Sequence, residues 1–296
     1  MPPYPALPGR PRTTGRLARG PELAASLAAR LTARDRWLLR MLHEHRVLTT
    51  TQITQLAFGT TRAASARLTT LYQHRAIDRF RPLAPAGSAP LHWVLDEAGA
   101  AVLAAEDGIT AAELGYRRDR ALAIALSAEL AHTTGANGFF TALAAAARAS
   151  SGHAALDCWW SERRCAAEFG GIVRPDGYGT WAHDGRVTRF FLEYDNGTET
   201  TATVAAKLGQ YADLATAEGA GVLVLLWLPA PAREAALRPA LARPAPAREV
   251  KNPLTPSRWP SRWLAAQDSA RPSVTLRAGA GSPHSAAISA APAGAR

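Results

Sequence analysis

Gly221-Val222-Leu223-Val224-Leu225-Leu226-Trp227 contains no polar side chain. An apolar run this short reads as a strand buried on both faces, and such a strand needs layers of structure on either side of its sheet. Residues 198–217, just upstream, carry helical spacing, with Val204, Leu208, Tyr211 and Ala215 on one stripe. Before that helix, Thr188–Asp195 alternates as a strand: Phe190, Leu192 and Tyr194 share one face, and Phe191, Glu193 and Asp195 share the other. Strand, helix and buried strand in this order predict a crossover connection, and hence parallel pairing in the sheet. Leu156–Trp160 and a segment around Arg174–Tyr178 supply further strands. Two alanine-rich helices, at 121–133 and 136–149 with a break at Gly135, precede them. An α/β domain over 121–241 with a mixed sheet is the expectation.

That domain concentrates its charge. Glu193 and Asp195 project from neighbouring positions of one strand face, and Asp176, following Pro175, falls where the adjacent strand begins. Opposed side chains of paired strands stand about 5 Å apart, so the three carboxylates can share a cleft. Close carboxylates repel unless a cation sits among them, and hard oxygen ligands suit magnesium or manganese. The next helix carries Lys207 within its inward stripe, although Lys207 and Lys251 are the only lysines in the chain. A lysine facing an acidic strand serves either as a structural ion pair or as a compact cation near reacting oxygens. Glu129, on the preceding helix, reads as an auxiliary carboxylate or an ordinary exposed glutamate.

A separate module occupies 32–110. Thr32-Ala33-Arg34-Asp35 caps a first helix on which Trp37, Leu38, Met41 and Leu42 recur at one-turn spacing. Leu48–Ala57 holds a second cap and a short helix, Phe58-Gly59-Thr60 makes a turn, and a third helix runs over 61–74. Ala64, Leu68, Leu71 and Tyr72 define its inner side, leaving Arg62, Ser65, Arg67 and Thr69 elsewhere, the side-chain types that read base edges and phosphates in a major groove. Strands at Ile77–Phe80 and Leu91–Leu95 and a helix from Asp96 to Ala105 follow, which is the order of a winged helix-turn-helix. The overall class is therefore α+β, a winged helix-turn-helix followed by an α/β domain, with double-stranded DNA as the expected partner.

The formal net charge of +10 agrees with a polyanionic partner. Arginine in place of lysine, with abundant alanine, proline and glycine, also follows from a GC-rich genome, so charge alone selects no function. Cys158 and Cys165 lack metal-site or disulfide-scaffold spacing and read as ordinary thiols. His43, His45, His74, His92, His132, His153, His183 and His284 are scattered without ligand spacing. No apolar run approaches the about 20 residues of a membrane span, and Met1–Pro5 lacks a secretory layout, so a cytoplasmic protein is expected. Residues 1–31 read as a flexible basic arm and 242–296 as a largely disordered Pro/Ala/Arg-rich tail, in which Ser257–Trp263 pairs tryptophan with arginine.

Pro175-Asp176, then Glu193-Tyr194-Asp195, then Lys207 resembles the PD-(D/E)XK nuclease superfamily. The resemblance implies a restriction-endonuclease-like fold, carboxylates Asp176, Glu193 and Asp195 holding Mg or Mn, and a lysine that activates water or steadies phosphate charge. The position two residues after Glu193 holds Asp195 rather than lysine, so Lys207 would act from the next helix. Over 32–241 the chain resembles the replication-relaxation family of actinobacterial plasmid and mobile-element proteins. The pieces are Leu31–Asp35, Leu130-Ala131-His132 with Asn137, Pro175-Asp176, Glu193–Glu199, and Lys207-Leu208 with Tyr211. This implies a bacterial DNA-binding protein of plasmid replication or relaxation, working beside replication or transfer proteins. Its second domain is then either a metal-dependent deoxyribonuclease or a degenerate nuclease-like domain in a non-enzymatic replication or transcription factor. The histidine pair and tyrosine of a rolling-circle relaxase are not present in recognisable arrangement.

Overall fold

The computed structural model describes residues 21–83, 87–218, 222–241 and 273–278. Helix α1 (Pro21–Ala28) leads into α2 (Ala33–His45), whose start is fixed by a reciprocal cap between Thr32 and Asp35. A second such cap, Thr49 with Gln52, separates the two-residue strand β1 (Leu48–Thr49) from α3 (Thr50–Ala57). Thr60 caps α4 (Thr61–Gln73). Strands β2 (Ile77–Phe80) and β3 (His92–Leu95) pair antiparallel, β1 joins the other edge of β3, and α5 (Glu97–Glu106) follows. Leu38, Leu42, Ile53, Leu68, Leu71 and Trp93 meet in one core.

After α6 (Arg118–Ala123) and a turn of 3-10 helix, α7 runs unbroken from Leu130 to Ala149. The expected break at Gly135 does not occur. Glycine is there because the helix presses on the sheet: a Cβ at 135 would lie 2.2 Å from Cζ of Tyr194. Strand β4 (Ala154–Ser161), helix α8 (Glu162–Phe169), strands β5 (Gly177–His183) and β6 (Arg186–Tyr194), helix α9 (Thr201–Glu218) and strand β7 (Leu223–Leu228) complete the second module. Helix α10 (Pro231–Leu241) packs after β7. The sheet order is β4-β5-β6-β7-β8, antiparallel through β6 and parallel beyond it, with β8 (Ser273–Ala278) at the edge. The protein is thus α+β with a mixed sheet. Helix α8 had gone unread in the sequence, although Ser161 caps it and Cys165 and Phe169 are spaced one turn apart.

Alternation along β6 sorts its side chains between two layers. Phe190 and Leu192 join Phe140 of α7, whereas Phe191 joins Phe169 of α8 and Tyr211 of α9. The two modules are closely joined. The His45 ring stacks on Trp159 at 3.7 Å, Asn137 donates to the carbonyls of His45 and Val47, and Gln52 donates to that of Thr134. The arm expected over 1–31 falls outside the described residues up to position 20, as does the tail over 242–296, including Ser257–Trp263, apart from β8. Among the described residues no helix is long and apolar enough to cross a membrane.

Candidate functional site

Asp176 sits immediately before β5, after a proline that ends the preceding loop. Its backbone N–H donates to the Leu192 carbonyl at 3.1 Å, and its Oδ2 accepts from the Tyr194 N–H at 2.7 Å. These bonds lock the carboxylate across the β5–β6 junction. Oδ1 faces Nε2 of His132 on α7 at 2.9 Å, and this contact, working against burial, holds the imidazole above its ordinary pKa.

Glu193 lies one strand over and is 4% exposed. Its Oε1 accepts from the Tyr211 hydroxyl at 2.6 Å, and Oε2 lies 3.5 Å from the Lys207 ammonium. Burial, reinforced by the Asp176 charge, pushes this carboxyl up to about 8, against the opposing pull of Lys207 and Tyr211. Lys207 bridges Glu193 and Glu199, the latter at 3.0 Å. Burial lowers its pKa, but Glu193, Glu199 and Asp176 outweigh that and hold the ammonium above its usual range. Lys207 and Tyr211, four residues apart, thus present one face of α9 to one buried carboxylate.

The third expected carboxylate does not join them. Asp195 lies just past the end of β6, where Oδ1 accepts from the Gly197 N–H and Oδ2 from Arg233 Nε of α10, each at 2.7 Å. Asp195 stays in the β6–β7 ladder, its N–H donating to the Trp227 carbonyl at 2.9 Å, but its carboxylate is taken by Arg233 of α10 rather than by Lys207 or Tyr211. Among the described residues no three histidine, cysteine or acidic side chains gather to hold a metal. Asp176 and Glu193 remain close enough for the charge of the one to raise the pKa of the other, and one or two carboxylates are the usual protein share of a magnesium site. Glu129 forms an exposed ion pair with Arg46 at 3.2 Å.

On α4, Arg62, Ser65 and Thr69 are exposed as the helix pattern requires, Thr69 bonding back to the Ser65 carbonyl. Arg67 belongs to a different set. Its guanidinium grips both oxygens of Asp35, which is 1% exposed at the start of α2, so it ties two helices together. That bond, with those from Thr32, keeps Asp35 below the ordinary carboxylate range despite burial.

Sequence reasoning assigned no chemical role to His132, and it placed Tyr211 in the α9 stripe without linking it to Glu193. It also missed a cleft of about 240 Å³ between the modules, lined by His45 and Arg46 from the end of α2, His132 from α7, Arg163 from α8, and Arg174 and Asp176 before β5. No single sequence segment signals that cleft, because its walls come from both modules. A family model described as replication-relaxation matches residues 39–222, a span running from α2 to the threshold of β7. No curated protein and no solved structure matches the chain.

Proposed function

The chain belongs to the replication-relaxation family, and from that membership we propose that it is a cytoplasmic bacterial DNA-binding protein of plasmid or mobile-element replication that breaks phosphodiester bonds. The convergence of Asp176, Glu193 and Lys207 carries this reading. It occurs on a core ordered helix, strand, short helix, two further antiparallel strands, crossover helix and parallel strand, which suits a restriction-endonuclease-like domain with α8 inserted after its first strand. The first module then acts as a winged helix-turn-helix, with α4 entering the major groove of duplex DNA through Arg62, Ser65 and Thr69.

Asp176 and Glu193 are the residues that would hold magnesium or manganese. Such an ion supplies Lewis acidity to a phosphoryl oxygen and lowers the pKa of water. Lys207 brings a compact positive charge to the same place, where it counters charge building on the phosphate. Tyr211 fixes one oxygen of Glu193 and so restricts its rotation, and the Tyr194 N–H and His132 do the same for Asp176.

The reading is tested with supercoiled plasmid in magnesium or manganese. The wild type nicks it, Lys207→Met does not, and Arg62→Ala weakens binding to duplex DNA in gel shifts at low salt. A second reading, a non-enzymatic replication or transcription factor on a degenerate nuclease-like domain, draws on the diversion of Asp195 to Arg233. Duplex binding without nicking in either metal selects it.

A further inference from the structure

We propose that Glu199 is a positioning residue for Lys207: it holds the ammonium beside Glu193 with one N–H left free for a phosphate oxygen. The proposal rests on reading Lys207 as the cation that meets phosphate, and it gives the segment between β6 and α9 a part in the site.

An ammonium carries three donors on a flexible stem, so its direction has to be set by its partners. Two carboxylates face Lys207, and they are unequal. Oε1 of Glu199 lies 3.0 Å from Nζ, within the usual span of about 2.7–3.2 Å for an N–H···O bond, whereas Oε2 of Glu193 lies 3.5 Å away, beyond it. Glu193 therefore attracts the ammonium without fixing it, and Glu199 supplies the fixed contact. The Lys207 side chain keeps 33% of its surface exposed, which leaves room for a ligand at the third donor.

The reach of the two side chains follows from α9. Glu199 stands just before the helix begins at Thr201, and Lys207 lies on its second turn. The Thr200 hydroxyl accepts from the Thr203 N–H at 3.1 Å and fixes where the helix starts. Long side chains on a helix lean towards its N-terminus, so Lys207 extends back to the segment that carries Glu199.

One side chain ties that segment at both ends. Arg233 of α10 donates through Nε to Oδ2 of Asp195 at 2.7 Å and through Nη2 to the Glu199 carbonyl at 2.5 Å. Between them the Gly197 N–H donates to Oδ1 of Asp195, and the Thr198 hydroxyl to Oδ1 of Asn196, each at 2.7 Å. The Asp195 and Arg233 side chains are 4% and 16% exposed, and such a pair resists opening because parting it strands a buried charge. The Glu199 backbone is thus held before any substrate arrives. An ammonium gripped by a held carboxylate loses little further freedom when it meets the reacting phosphate.

The chain has two lysines, Lys207 and Lys251, so protein made with isotope-labelled lysine gives two side-chain ammonium signals in nuclear magnetic resonance, and Lys251→Arg identifies that of Lys207. Each variant is first shown to be folded by circular dichroism. Glu199→Ala should speed exchange of the Lys207 ammonium protons with water by about fivefold or more, and Glu199→Gln, which keeps an oxygen acceptor, should recover part of that protection. In the plasmid assay with magnesium, Glu199→Ala should lower the nicking rate at saturating plasmid by about tenfold or more while duplex affinity stays within about twofold. Asp119→Ala, which removes the exposed ion pair with Arg117, should change neither readout. A wild-type Lys207 signal already averaged away by water, unchanged exchange or an unchanged saturating rate in Glu199→Ala, or equal effects from Asp119→Ala overturns the proposal, and wild-type nicking alongside any of these leaves the nuclease reading standing. A wild type that does not nick removes that reading and this proposal together.

Discussion

Single side chains at the cleft differ in the protonation state that their surroundings favour. His45, 2% exposed against Trp159, has its pKa brought down to about 3, chiefly by burial and further by the charge of Arg163, with Glu44 opposing. The unfolded chain takes up that proton below about pH 6.5 and the folded chain does not. The contribution is therefore fully present above about pH 6.5 and is lost as pH falls towards 3. Between about pH 6.5 and 4.5 the loss amounts to about 2 kcal/mol. Urea denaturation of the wild type and His45→Gln at those two pH values checks it. The wild type should lose about that much more stability than the variant, and equal losses would show that His45 does not drive the change.

Elements show why sequence reached some features and missed others. Reciprocal caps at Thr32–Asp35 and Thr49–Gln52, and the alternation of β6, are local patterns, so helix starts and strand faces could be read directly. The pair Glu193 and Lys207 was legible for the same reason: each faces inward by the periodicity of its own element. Asp195 was grouped with Asp176 and Glu193 because only the position of α10 reveals Arg233 as its partner. Arg67 was misread because Asp35 lies 32 residues away on another helix. Gly135 looked like a breaker, yet its role is close approach to Tyr194. Gly135→Ala should push the Tyr194 ring and α7 apart and cost about 1–3 kcal/mol, the usual penalty of overpacking, read from the midpoint of chemical denaturation. An unchanged midpoint would mean that α7 does not press on β6 as described.

Across the whole molecule, the mutual placement of the modules determines what the site can accept. Asn137, Gln52 and Glu44 fasten α7 and α8 to α2 and α3, so the helices of the first module and the carboxylate–lysine cluster belong to one joined framework. Asp176 and Glu193 meet Lys207 at the sheet, while Asp195 serves as the anchor for α10. The most direct test of that division is metal-dependent nicking of supercoiled plasmid by Glu193→Gln and Asp195→Asn, each first shown to be folded by circular dichroism. Glu193→Gln should abolish nicking and Asp195→Asn should retain it. Nicking that survives Glu193→Gln, or that disappears only with Asp195→Asn, would contradict the assignment.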